Sequence, residues 1–223
     1  METAAVADFL SESPLFACLS DLDRLALAAK MRPRQFGRDE VVFHRDDPAG
    51  QVFLITSGTV KVSIPDEQGH EVVVALERGG DVFGELALFD EGPRSATVTA
   101  LTETHTLALA RQEFISTLER NPDAMRRMLA LLVKTIRFST GHIEDLVFLD
   151  LPGRVAKCVI DLADAAGSDQ VDLTQEDLAA FVGATRVSVN RVLADLEKRG
   201  AIKIGRRHIQ LKDRALLQSD IRY

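Results

Sequence analysis

A carboxylate, an arginine and a hydroxyl lie close together in the segment GGDVFGELALFDEGPRSATVTA, which runs from Gly79 to Ala100. Arg94 offers a planar, permanently charged fork that suits a phosphate, and Ser95 can donate to a second phosphate oxygen. Gly84 lets the backbone approach a ligand closely, and Leu86-Ala87-Leu88 can form one helical turn whose free N–H groups face an anion. Glu85 cannot ligate phosphate; beside such a nest, a carboxylate is suited to accept hydrogen bonds from a sugar hydroxyl. The chemistry is that of a phosphate-and-ribose pocket. The alternative is that Glu85 and Arg94 only pair with each other.

A second concentration of chemistry lies in LTQEDLAAFVGATRVSVNRVLADLEKRG. Thr174 with Asp177 makes a capping box, Gly183 sits in a turn and Thr185 caps a second helix, which is the pattern of a helix-turn-helix. Leu178, Phe181 and Val182 face the core from the first helix, and Val189, Val192, Leu193 and Leu196 from the second. Arg186, Val187, Ser188, Asn190 and Arg191 are left to point outward. Arginine reaching guanine O6 and N7 is the commonest specific major-groove contact, so Arg186 and Arg191 are the expected base readers. Thr185 and Ser188 suit phosphate oxygens. AIKIGRRHIQLKD then reads as two strands around a Gly205-Arg206-Arg207 turn, a wing whose Lys203, Arg206 and Arg207 would hold phosphates.

These residues must be positioned by two different kinds of scaffold. From Asp8 to about Met31 the chain reads as short helices, with Ser20 and Asp23 capping LSDLDRLALAA. Between Arg34 and Leu109 it becomes β-rich: EVVFH, QVFLIT, TVKVSI, EVVVALE, SATVTAL and THTLALA are separated by DDPAG, SG, PDEQGH and RGGD, which predicts a barrel or roll closed by the helix RQEFISTLER. Asn121-Pro122-Asp123 starts a long helix. Its Met125, Met128, Leu132, Ile136, Ile143, Leu146 and Leu149 form a near-heptad stripe suited to a two-stranded coiled coil, hence a homodimer. Ser139, Thr140 and Gly141 stand where the stripe should continue. Leu151-Pro152-Gly153 is expected to end the helix and act as a hinge, and Arg154 to about Ala166 forms another amphipathic helix. The fold is therefore α+β: 1–120 a β-roll with flanking short helices, 121–151 a dimerisation helix and hinge, and 152–223 a winged helix-turn-helix.

Composition fits this division. The 223 residues are 46% hydrophobic, enough for ordinary cores. Residues 1–150 hold 15 Lys and Arg against 24 Asp and Glu, whereas 151–223 hold 12 against 10, so the net charge of −7 hides a basic C-terminal face. No apolar run approaches the ~18 residues of a membrane span and the start METAAVADFL is acidic, so the expected location is cytoplasmic. Cys18 and Cys158 are too few for a disulfide framework or zinc site and read as small buried residues. His44, His70, His105, His142 and His208 show no metal-ligand spacing, and no nucleophile–base pair stands out, which argues against metal and against an enzyme.

FGELAL, a short spacer and PRSAT resemble the phosphate-binding cassette of cyclic-nucleotide-binding domains. The resemblance implies that Glu85 takes the ribose 2′-hydroxyl and Arg94 the cyclic phosphate, with Gly84, Leu86 and Ser95 lining the pocket. Roll, long helix, FLDLPGRVAK and VGATRVSVNRVL, in that order, resemble the CRP/FNR superfamily of bacterial transcription regulators over nearly the entire chain. In its catabolite-activator type, two adjacent hydroxyl residues of the long helix touch the nucleotide base; counting back from FLD, they correspond to Ser139 and Thr140. The implied function is a homodimer whose binding to palindromic double-stranded DNA is controlled by cyclic AMP, with cyclic GMP as the alternative effector and RNA polymerase as a further partner. One departure stands out: the family recognition helix reads R-E-T-V-x-R, and Val187 replaces the glutamate that contacts cytosine. Valine cannot accept from cytosine N4 but can pack against a thymine methyl, which predicts a half-site altered from the GTGA type. Two other readings stay open: a DNA-binding regulator with a vestigial or different-effector pocket, and a signalling subunit acting on a protein partner.

Overall fold

The computed structural model describes residues 2–66 and 71–222; the tip of the PDEQGH turn, 67–70, and His70 with it lie outside the described residues. The chain divides into two compact units within its longest helix, between Ile136 and Arg137.

The first unit opens with α1 (Thr3–Glu12) and α2 (Asp21–Ala28). Ser20 caps α2 as expected: its Oγ accepts from Asp23 N at 3.2 Å and donates to the Asp23 carboxylate at 2.7 Å. The strands β1 (Arg32–Phe36), β2 (Val41–Phe43), β3 (Gln51–Ser57), β4 (Thr59–Pro65), β5 (Glu71–Arg78) and β6 (Val82–Phe83) follow. After them come α3 (Leu86–Phe89), β7 (Thr97–Ala100), β8 (Thr104–Ala110) and α4 (Arg111–Arg120). The strands form two sheets, ordered β1-β8-β3-β6 and β2-β7-β4-β5, the expected roll.

The run QVFLIT is apolar throughout because it serves two cores. Val52 and Leu54 pack with Leu10, Phe114 and Leu118 from helices and Phe16 from the turn after α1, whereas Phe53 and Ile55 pack with Val60, Phe83 and Val98 between the sheets. Successive strand residues point to opposite faces, so a strand covered on both sides loses its polar alternation. Strand β1 was not legible: RPRQF is charged, largely exposed and contains Pro33, which a sheet tolerates on an edge strand.

The long helix α5 spans Pro122–Phe148. The expected stripe runs along one face of it and is buried only toward the start of the helix. Ala124 and Met128 are buried, and Met125 and Leu132 pack beside them. Ile136, Ile143 and Leu146 are instead 64%, 61% and 38% exposed. Leu129, Val133, Ile136, Ile143 and Val147 form an exposed apolar line, with Thr140 completing its four-three repeat between Ile136 and Ile143.

The expected break at Leu151-Pro152-Gly153 is also corrected. Helix α5 ends at Phe148, and Asp150 caps α6 (Leu151–Ala166), its carboxylate accepting from Gly153 N at 2.9 Å. Pro152 falls in the first turn, where its missing N–H has no intrahelical partner to lose, so it starts one helix and does not terminate the other.

The second unit continues with β9 (Gln170–Val171), α7 (Gln175–Val182), α8 (Arg186–Lys198), β10 (Ile202–Gly205), β11 (His208–Leu211) and α9 (Arg214–Asp220). Its sheet order is β10-β11-β9. Val155 and Val159 of α6 are buried, as are Leu178 of α7, Val189, Leu193 and Leu196 of α8 and Leu217 of α9, helices that pack with α6. Helix α9 is an addition to the expected elements, capped by Asp213 and tied down by ion pairs from Arg199 to Asp220 and from Arg214 to Asp164. No helix among the described residues is long and apolar enough to cross a membrane, and no group of three or more His, Cys, Asp or Glu among them could hold a metal ion. Cys18 and Cys158 are free thiols and half-buried, less enclosed than expected.

Candidate nucleotide pocket and nucleic-acid interface

In the first unit the turn after β6 brings Gly84, Glu85 and Arg94 together. Gly84 has φ 79°, and a Cβ there would lie 2.6 Å from Arg94 Nη1 and 3.3 Å from the Phe43 ring, so only glycine leaves room for the guanidinium. Arg94 is only 4% exposed. Its Nη1 donates to Gly84 O at 2.5 Å and its Nη2 to Gln51 O at 2.7 Å. The guanidinium carbon sits 4.1 Å over the centroid of Phe43, within an aromatic group where Phe53 and Phe83 stack at 5.1 Å. Arg94 Nε is buried with no hydrogen-bond partner among the described residues.

Backbone bonds fix the pivot of this side chain. Asp46 N donates to Arg94 O and Arg94 N donates to Asp47 O, both at 2.9 Å. The preceding spacer is a turn in which Asp90 Oδ1 accepts from Gly92 N at 2.9 Å and Glu91, at φ 57°, pairs with Arg111 at 2.9 Å. Burial draws the Arg94 guanidinium below its ordinary range, against the carboxylates of Glu85 and Asp47; it nonetheless remains a cation. Burial raises the Glu85 carboxyl, with a hydrogen bond from its own backbone and the Arg94 charge opposing. Behind them, Glu77 is pushed up to about 8, first by burial and then by Asp81 and Glu85, with Lys134 opposing.

Glu85 and Arg94 form no ion pair within 4.0 Å; the arginine is held by neutral carbonyls and a ring face. Leu86 and Ser95 are exposed beside it, and Leu88 N donates to Glu85 O at 2.9 Å to close the α3 turn. The expected lining residues are thus gathered. Phe43, Gln51 and Asp47, which hold the arginine, were not anticipated; the only available signal was the aromatic residue at β-strand positions in VVFH and QVFL. Ser139 and Thr140 lie on α5, both exposed, Thr140 within the apolar line described above.

In the second unit α7 and α8 form the expected helix-turn-helix. The Thr174–Asp177 capping box is present, Gly183 has φ 61° at the turn, and Thr185 Oγ1 accepts from Ser188 N at 3.3 Å. The Thr185 and Ser188 hydroxyls lie 3.0 Å apart, hydrogen-bonded to each other. Val187 is 64% exposed and Arg191 is exposed with no ion-pair partner among the described residues. Arg186 differs, lying 3.5 Å from the Glu176 carboxylate of α7. Ser188 and Asn190 are corrected: both are half-buried, and Asn190 Oδ1 is enclosed with no hydrogen-bond partner among the described residues.

The wing is anchored to α8 by Glu197, which accepts from Ile204 N at 2.7 Å. Lys203, Arg206 and Arg207 are exposed, Arg207 at φ 62° in the tight turn. A Cβ at Gly205 would meet the ring of its cross-strand neighbour His208 at 2.1 Å, so a side chain there would displace that ring.

Residues 33–121 match the cyclic nucleotide-binding domain family, and residues 153–219 match the Crp-like helix-turn-helix domain family. The chain is 32% identical over 213 residues to the CRP-like cAMP-activated global transcriptional regulator of Mycobacterium tuberculosis, covering 92% of this chain and 95% of that protein. It is 32% identical over 168 residues to the cAMP-activated global transcriptional regulator CRP of Escherichia coli, covering 72% and 80% respectively. The solved structure of FixK2 from Bradyrhizobium japonicum shares the fold, with TM-score 0.78, 22% identity, and coverage of 86% of this chain and 98% of that one.

Proposed function

The chain belongs to the CRP/FNR superfamily of transcription regulators, and we propose from that premise that it is a cytoplasmic homodimer whose effector is cyclic AMP. Its cyclic-nucleotide-binding and helix-turn-helix domains make it a cyclic-nucleotide-controlled DNA-binding regulator. In the proposed mechanism Arg94 takes the cyclic phosphate, Glu85 the ribose hydroxyl, and the hydroxyls of Ser139 and Thr140 read the base. The observation that carries the reading is Arg94 itself. A buried guanidinium held by two neutral carbonyls, with its Nε unpartnered, lacks the anion that would satisfy it. A cyclic phosphate exchanges those carbonyls for charged acceptors and fills the missing one.

The exposed line from Leu129 to Val147 supports self-association, since a heptad of apolar residues facing water is costly until a second copy covers it. Two copies bring two recognition helices to successive turns of a palindromic site. Arg191 then reads a guanine, Val187 packs on a thymine methyl, and Thr185, Ser188, Lys203, Arg206 and Arg207 hold phosphates. Effector binding acts by favouring one of two arrangements of the dimer, which is differential affinity for two states.

Calorimetric titration of wild type and Arg94→Ala with cyclic AMP and cyclic GMP tests this. The expected result is stoichiometric binding of cyclic AMP, lost in the variant. Equal affinity in both proteins would remove Arg94 from the pocket, and silence from both nucleotides would favour a different effector.

A further inference from the structure

We propose that the C-terminal unit carries a further ligand site, a cavity beside the first helix of the DNA-binding motif that takes a small aromatic carboxylate. The cavity, about 200 Å³, lies among the C-terminal half of α5, α6 and the end of α7. Phe138, Leu162, Phe181 and Val182 give it an apolar wall. The Cys158 thiol completes that wall; burial and then the Asp161 carboxylate push it up to about 12, so it is a neutral surface and not a nucleophile.

The polar side is incompletely paired. Lys157 is bonded to Asp145 and lies 3.6 Å from Asp161, which occupies those three charges with one another. Arg137 and Arg154 meet no carboxylate among the described residues, and Arg154 reaches only Leu146 O, at 3.4 Å. Arg154 Nε and His142 Nε2 are buried with no hydrogen-bond partner among the described residues. Burial holds His142 below the ordinary imidazole range, with Asp145 opposing and Lys157 and Arg154 adding to the depression, so the ring is neutral near pH 7. Three cations against two carboxylates leave one positive charge at the cavity.

Unpaired buried polar groups are costly, and a carboxylate supplies the acceptors the arginines lack. The parallel Phe138 and His142 rings, 6.5 Å apart, and the Phe181 ring favour an aromatic body. A volume of this order suits a single substituted ring, since an apolar cavity of about 150 Å³ already holds benzene. At 3.6 residues per turn, Phe138, His142 and Asp145 lie on the face of α5 opposite Ile136, Thr140 and Ile143. Self-association along that exposed line therefore leaves the cavity open. Because α7 contributes Phe181 and Val182, occupancy bears on the helix that seats α8. An effect on DNA binding rests on the function proposed above; ligand binding itself does not.

Titration calorimetry of the full chain with benzoate, salicylate and neutral benzyl alcohol tests the site, and cyclic AMP is titrated in parallel. A Cβ on Gly141, which lines the cavity, meets nothing within 4 Å, so Gly141→Leu fills the space while removing a helix-interior glycine. The expected result is saturable binding of a carboxylate, about tenfold weaker in Arg154→Gln, and lost in Gly141→Leu with cyclic AMP affinity unchanged. Undiminished binding in Gly141→Leu, equal binding of benzyl alcohol, or no saturable binding up to about 10 mM overturns the proposal. Should Gly141→Leu not fold, undiminished affinity in Arg154→Gln overturns it as well. Benzoate binding without cyclic AMP binding overturns the nucleotide reading and supports this one.

Discussion

Arginines occupy two opposite settings in this molecule. Arg94 is buried under an aromatic ring and already bonded to two carbonyls, whereas Arg191 and the wing arginines stand in water. In the proposed role, the first kind of site is selective because its cation is held in one geometry and must be released before it can bind. The second, in its proposed role, presents exposed charge to a phosphate backbone and gains specificity only where a guanidinium reaches a base edge. The two should therefore respond to different perturbations: shape for the pocket, salt for the interface.

The largest effect is expected at the pocket. Arg94→Lys keeps the charge but loses the planar fork and the stacking on Phe43, and nucleotide affinity should fall on the order of 100-fold in calorimetry. An affinity within twofold of wild type would mean that charge alone suffices and the contrast is false. Next, Arg191→Ala should cost roughly 1–3 kcal/mol of specific DNA binding, measured by fluorescence anisotropy, and relax selection at one base pair only. Uniform weakening across all sequences would reassign it to phosphate contact. Smaller again, Arg206→Gln with Arg207→Gln should lower the salt dependence of DNA affinity by about two counterions without altering sequence preference.

The smallest effect is a pH dependence confined to the roll. Glu77 is pushed up to about 8 by burial and by its neighbours Asp81 and Glu85, with Lys134 opposing. Below about pH 4.5 both folded and unfolded chains carry the proton, so the group is neutral to stability. As pH rises from there toward 8 the unfolded chain ionises while the folded one holds its proton, so stability falls across that window and levels off above it. Glu77→Gln should remove this slope and stabilise the roll on the order of 1 kcal/mol at pH 8, with little change near pH 4.5. Parallel melting curves of the two proteins at both pH values decide it.

Features whose partners are near in sequence were legible. The Ser20 cap and the Thr174–Asp177 box were readable because the interacting groups share one turn. What escaped depends on distant partners or on a choice between two apolar faces. Phe43 and Gln51, which hold Arg94, arrive from separate strands. On α5, Met128 and Leu129 are equally apolar, and only packing decides that one is buried and the other 53% exposed. A proline such as Pro152 marks a helix boundary without saying which side the helix lies on; the Asp150 cap supplies the answer.

The backbone clamp at Arg94 bears on how quickly the pocket can fill. With its N–H and C=O committed to Asp47 and Asp46, the residue can open only by rotating its side chain away from Phe43, Gly84 and Gln51. On the proposed reading, capture is a two-step process in which an internal rotation precedes the productive encounter. In stopped-flow mixing the observed rate should level off as nucleotide concentration rises, at a ceiling set by the protein and shared by every ligand that needs the arginine.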